Sequence, residues 1–214
     1  MAPSSAPATR RIGTALAVIG GLLIANGAWY TPLMFSAGSE QKFSETGATW
    51  QFQAFYVAML VILVALALIT PALGRLAGRT GRQLPGWLPG LLTVAVVLQT
   101  ATVYAQAFVV PHLAKVAPAA LDNEQVDAFA VSMMLIWVTY SLSWIALAVI
   151  GAVRRLVPVG SAVLIALGAL VIPIIGPGGS VLIGAGLLSW AMLRILRVPV
   201  EAPVQPLSAS PVHA

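Results

Sequence analysis

Four stretches of this chain, residues 12–35, 53–74, 87–111 and 131–153, run without a single Asp, Glu, Lys, Arg or His. Each is long enough to cross a hydrocarbon core of roughly 30 Å, which takes about 20 mostly apolar residues in a helix. Inside lipid the backbone has to satisfy its own hydrogen bonds, so such stretches fold as helices. A fifth apolar region, 157–196, is too long for one span and is punctuated by Gly176-Pro177-Gly178-Gly179. Its two arms, 157–175 and 180–196, would rise about 28 and 25 Å at about 1.5 Å per residue, which favours a transmembrane hairpin over a re-entrant loop. The sixth span is the least secure of the set, since Arg194 must snorkel to the interface.

The expectation is an all-α membrane protein with six transmembrane helices, at about 12–35, 53–74, 87–111, 131–153, 157–175 and 180–196. Composition agrees, with 59% hydrophobic and only 8% charged residues in 214, where an ordinary soluble domain carries roughly a quarter charged. Residues 1–11 and the Pro-rich tail 197–214 have too few bulky apolar side chains to pack and are expected to be disordered. Residues 1–11 and the first span also look like a signal peptide, but the apolar run exceeds the usual 7 to 15 residues and stays hydrophobic through Trp29 and Phe35. The absence of cysteine removes disulfides, thiolate metal sites and cysteine nucleophiles.

Charge sets the orientation. With the N-terminus in the cytoplasm, nine of the eleven basic residues fall inside: Arg10, Arg11, Arg75, Arg79, Arg82, Arg154, Arg155, Arg194 and Arg197. Only Lys42 and Lys115 fall outside, where Glu40, Glu45, Asp122, Glu124 and Asp127 also lie. This follows the positive-inside rule and places both termini in the cytoplasm of a multi-pass protein of the cell (plasma or inner) membrane. Arginines dispersed over short loops suit anionic headgroups, and the net +5 is no sign of nucleic-acid binding.

A weak repeat links the first four spans. Ala28-Trp29-Tyr30-Thr31-Pro32 and Ala107-Phe108-Val109-Val110-Pro111 share an Ala-aromatic-x-x-Pro pattern near the ends of the first and third spans. A duplication would make a 2+2 tandem-repeat four-helix bundle with a C-terminal helical hairpin appended.

Three groups of residues stand out. Gly13, Ala17, Gly21 and Ala25 recur every four residues on the first helix, a small-residue face suited to packing within the chain or to a homodimer seam. The third span carries Gln99, Thr102 and Gln106 at membrane depth, facing a fourth span that holds Tyr140, Ser143 and Trp144, with Asn26 in the first. These polar groups either hydrogen-bond helix to helix or line a pocket or pathway. At the outer edge, His112 with Asp122, Glu124 and Asp127 could meet a divalent cation, although a solvated loop and a helix cap at Asp122, starting the fourth helix near Asn123, account for them more simply. No charge lies in the span interiors, which counts against ion-coupled transport, and no catalytic constellation, metal site or cofactor is expected.

These features point to a non-enzymatic binding, interaction or accessory role in the bilayer. A protein partner or a second copy would meet the outer loops, where Trp29, Trp50 and Phe52 form an aromatic surface. The alternative is a small transporter or channel for a neutral or weakly polar solute through helices 1, 3 and 4.

Overall fold

The computed structural model describes residues 6–36, 42–76, 83–122, 128–175 and 177–195. Every element among them is helical: α1 (Ala6–Ser36), α2 (Phe43–Gly47), α3 (Trp50–Ile69), α4 (Trp87–Tyr104), α5 (Val110–Val116), α6 (Pro118–Leu121), α7 (Ala128–Val153), α8 (Val159–Ile175) and α9 (Pro177–Trp190). Four helices are long and apolar enough to cross a membrane, Thr9–Leu33, Trp50–Arg75, Trp87–Val116 and Val131–Val153, and the protein is membrane-embedded. The apolar helices Val159–Pro173 and Gly178–Leu193 are shorter.

Local chemistry sets the helix ends. α1 begins at Ala6, ahead of its apolar stretch, so Arg10 and Arg11 already sit on helical turns, and the Arg10 carbonyl accepts from the Thr14 hydroxyl at 3.1 Å. α3 begins at Trp50, earlier than its apolar pattern suggests, because the Thr49 hydroxyl caps the Phe52 N–H at 3.2 Å. α9 likewise starts at Pro177, within the Gly-Pro-Gly-Gly segment, since proline suits the first position of a helix. α3 tightens into a 3-10 turn over Thr70–Arg75.

α4 passes through a π turn, Ala105–Val109, into α5. There the Val110 N–H bonds to the Ala105 carbonyl, one residue farther back than in an α-helix. Pro111 explains the widening, as its ring would crowd the carbonyl four residues before it. α7 closes with Arg155 in the left-handed region at φ 58. The Arg155 N–H reaches the Ala152 carbonyl at 2.9 Å and the Leu156 N–H reaches Gly151 at 2.8 Å, a Schellman turn with arginine where glycine is usual.

The six principal helices form a ring. α1 packs on α3, α3 on α4, α4 on α7, α7 on α8, α8 on α9, and α9 returns to α1. The α8–α9 pair is therefore built into the ring between α7 and α1, and is not an appendage to a four-helix bundle. Successive helices alternate in direction, so Arg10, Arg11, Arg75, Arg154 and Arg155 collect at one end, the arginine end, and α2, α5 and α6 cover the other.

Glycine makes the joints around α9 close. A Cβ on Gly20 would stand 2.6 Å from the Gly184 carbonyl oxygen, and one on Gly184 would stand 2.6 Å from the Gly20 oxygen. Gly168 and Gly179 oppose each other in the same way across α8 and α9. Lipid tails are as apolar as leucine, so helix association depends on van der Waals fit of this kind. The stripe Gly13, Ala17, Gly21 and Ala25 is only partly engaged. Gly13 is buried and Ala17 and Gly21 half-buried, but Ala25 is exposed and a Cβ on Gly21 would meet nothing within 4 Å.

Candidate functional site

Roughly two helical turns in from the arginine end, each ring helix contributes one fully buried aliphatic residue: Leu16, Leu66, Leu92, Leu147, Ile165 and Leu187. All six belong to one continuous apolar cluster. Within a turn of them, two part-buried hydroxyl pairs, Thr70 with Thr93 at 2.8 Å and Ser161 with Ser189 at 2.7 Å, satisfy each other.

Beyond this layer, towards the α2 end, the packing loosens into a cavity of about 50 Å3 to which all six ring helices contribute. α3 contributes Phe55, Tyr56, Met59 and Leu63 to its lining and α7 contributes Trp137 and Tyr140. Gln99 and Val103 of α4 lie between them, and Leu23, Ile172, Ser180 and Ile183 complete the lining. The cavity has room for several waters.

Its polar residues are Gln99, Tyr56, Tyr140 and Ser180; Gln99 is only 7% exposed, and its amide oxygen is buried without a hydrogen-bond partner. Gln106 Oε1, Ser141 Oγ and Trp144 Nε1 are also buried without a hydrogen-bond partner, so all four such atoms found among the described residues sit on α4, the π turn that follows it and α7. An unpaired buried polar atom costs about 1–3 kcal/mol, and of these four residues only Gln99 lies on the cavity wall.

Several of the other polar residues singled out in the sequence hydrogen-bond locally. Asn26 donates to the Phe55 carbonyl at 3.2 Å, joining α1 to α3. Thr102 and Ser143 donate back within their own helices, to Leu98 at 3.5 Å and Thr139 at 2.8 Å. The Gln106 amide nitrogen reaches Met133 Sδ at 3.9 Å. Tyr140 lines the cavity with its ring edge-on to Trp144, centroids 6.0 Å apart. Of the seven residues in this group, the structure places two, Gln99 and Tyr140, on the cavity wall.

No family model, curated protein or solved structure matches this chain. Its site is therefore read from its own chemistry. Phe52, expected as outer aromatic surface, is instead buried at 2% exposure beside the cavity-lining Phe55 and Tyr56, which the sequence did not single out. They form a run of touching rings: Phe52 to Tyr56 at 4.6 Å, Tyr56 to Phe55 at 4.9 Å, and Phe55 stacked on Tyr30 at 4.4 Å. Phe43 of α2 meets Phe52 edge-on at 6.0 Å, which ties α2 to the cavity wall.

The α2 end is clasped by Asp122. Its carboxylate accepts from the Ser44 N–H at 2.9 Å and from the Ser44 hydroxyl at 2.7 Å, joining two loops far apart in sequence. His112 is exposed on α5, while Glu124 and Asp127 lie outside the described residues, as does a helix start near Asn123. No three His, Cys, Asp or Glu side chains gather among the described residues. The two hydrogen bonds from Ser44, backbone first, together with nearby Lys42, hold the Asp122 carboxyl below the usual carboxylate range. A depressed carboxyl stabilises the fold above its unfolded value of about 3.9, and this contribution is lost as pH falls through the lower folded value. Asp122→Ala should therefore raise hydrogen exchange at the Ser44 amide at least tenfold at pH 7. The gap between variant and wild type should close under strong acid; a gap that persists there would exclude the carboxylate as its source.

Proposed function

We propose that this chain is a non-enzymatic, six-pass membrane protein that binds a small uncharged molecule at the centre of its helical ring. The observation that carries this reading is the cavity shared by all six helices, with the unpartnered Gln99 amide on its wall. The leucine layer favours binding over open conduction, because six buried aliphatic side chains pack together between the cavity and the arginine end. Uncharged walls suit an uncharged occupant, since a bare ion would lose its hydration without compensation.

The topology that accompanies this reading has both termini in the cytoplasm and the α2 end outside, on the strength of the positive-inside rule. A reporter fused after Lys115 should read as extracytoplasmic, and a cytoplasmic signal would reverse the orientation. The α2 end also offers a place for a protein partner. Trp50 is 67% exposed and pairs with Trp29 at 6.1 Å, although tryptophans also belong at a lipid interface.

Binding is tested by screening small neutral solutes for a saturable rise in the unfolding temperature of the purified protein. A ligand at a hundred times its Kd adds about 2.7 kcal/mol of stability. Gln99→Leu should abolish the shift while leaving the ligand-free protein as stable as wild type or more so. If the amide serves only as interhelical glue, no solute will shift wild type.

A further inference from the structure

We propose that the turn between α7 and α8 is a binding site for an anionic phospholipid, with Arg154 and Arg155 meeting its headgroup and the exposed valines of the two helices meeting its acyl chains. The site lies on the outside of the ring and does not depend on what the cavity holds.

Arg155 is the one non-glycine residue with a positive φ among the described residues. A left-handed backbone is costly for a residue that carries a Cβ, and glycine is the usual occupant of this position in a Schellman turn. The arginine side chain is exposed, so packing within the chain does not account for its presence there. An anion outside the chain gives its charge a use.

The turn is fastened on two sides. Arg154 Nη1 donates to the Gln83 carbonyl at 2.6 Å, just ahead of α4, and the buried Trp190 indole N–H of α9 donates to the Leu156 carbonyl at 3.1 Å. The backbone that carries both arginines is thus tied to the helices flanking the α7–α8 pair. No acidic side chain among the described residues neutralises them at this end, because Glu45 and Asp122 both lie at the α2 end. Guanidinium groups pair with phosphate through charge-assisted hydrogen bonds, and at a membrane edge the available phosphates are those of anionic headgroups.

Next to the turn the surface is aliphatic. Val149 and Val153 on α7 and Val159 and Val163 on α8 are each at least half exposed. The members of each pair stand one helical turn apart, and the two helices are ring neighbours joined by the turn that carries the arginines. Two cations beside four exposed valines match the two parts of a phospholipid, a charged head and its chains, whereas a free phosphate would use only the arginines.

The experiment follows the unfolding temperature of the purified full chain in neutral detergent as dioleoyl phosphatidylglycerol, dioleoyl phosphatidylcholine or inorganic phosphate is added. Phosphatidylglycerol is expected to give a saturable rise, with a midpoint at least fivefold lower than that of phosphatidylcholine, and inorganic phosphate at the same concentration none. Arg155→Gln keeps a Cβ in the turn and removes the charge, so it should erase the preference. Arg155→Gly should erase it too, yet unfold at a higher temperature than Arg155→Gln when no lipid is present. Arg11→Gln removes one charge from α1, which neighbours neither α7 nor α8, and should leave the preference within twofold of wild type.

An equal response to the two lipids, or an Arg155→Gln protein that still prefers phosphatidylglycerol, would overturn the site. So would an Arg11→Gln protein that loses the preference as fully, because the charge of the whole arginine end would then be what attracts lipid. A rise with inorganic phosphate as large as that with phosphatidylglycerol would overturn the lipid in favour of a free anion.

Discussion

Gly184→Leu should prevent the ring from closing. A Cβ at this position already meets the Gly20 carbonyl oxygen at 2.6 Å, Leu23 Cβ at 2.9 Å and Ile24 Cγ1 at 3.1 Å. The first of these contacts is backbone and cannot swing aside. Even Gly184→Ala must push α9 away from α1, and overpacking of this kind costs about 1–3 kcal/mol. The larger leucine should remove the monodisperse folded species altogether. Gly21→Ala supplies the contrast, since nothing lies within 4 Å of its added carbon and alanine favours a helix by up to about 1 kcal/mol. Thermal unfolding of both alanine variants in detergent gives the readout. Opposite signs at Gly184 and Gly21 are expected, and equal behaviour would mean that the register of α1 against α9 is wrong.

The second large effect concerns the leucine layer. Leu92 and Leu147, on adjacent helices, are fully buried in it. Cutting both to alanine removes six side-chain carbons and leaves a void under the cavity, because packed interiors relax only partly around a deletion. In vesicles, Leu92→Ala with Leu147→Ala should admit a urea-sized neutral solute at least tenfold faster than wild type. Wild type should be as tight as protein-free lipid. A wild-type protein that already conducts, saturably and with dependence on Gln99, would replace the binding role with transport. The polar atoms from Gln99 to Gln106 would then be the observation in its favour.

The presence of apolar helices could be read directly, because runs without charge are rare and lipid demands them. So could Gln99 and Tyr140, since polar groups at membrane depth are few enough to attract notice. The inward face of α1 could not. In a soluble helix the polar side marks what is outside, but α1 is apolar around its whole circumference, and its small residues at Gly20 and Gly21 differ only in which neighbour they meet. The same uniformity hid the α3 wall, where aromatic side chains read equally well as lipid-facing. Asp122 was read through its nearest neighbours in sequence as the cap of the following helix. The helix start assigned to it lies outside the described residues, while its partner Ser44 lies far away in sequence and leaves no local trace.

The order of helices around the ring has a consequence for how the protein is made. Five of its six joints unite helices that follow one another along the chain, and each can form as soon as the second helix of the pair has been synthesised. The sixth joins the first helix to the last. Until α9 leaves the ribosome, the nascent protein is an open crescent, with the Gly20 groove of α1 facing lipid at one tip and the cavity breached along its side. A chain that stalls before α9 would hold most of the cavity wall and yet enclose nothing, so completion of the final helix coincides with the birth of the site.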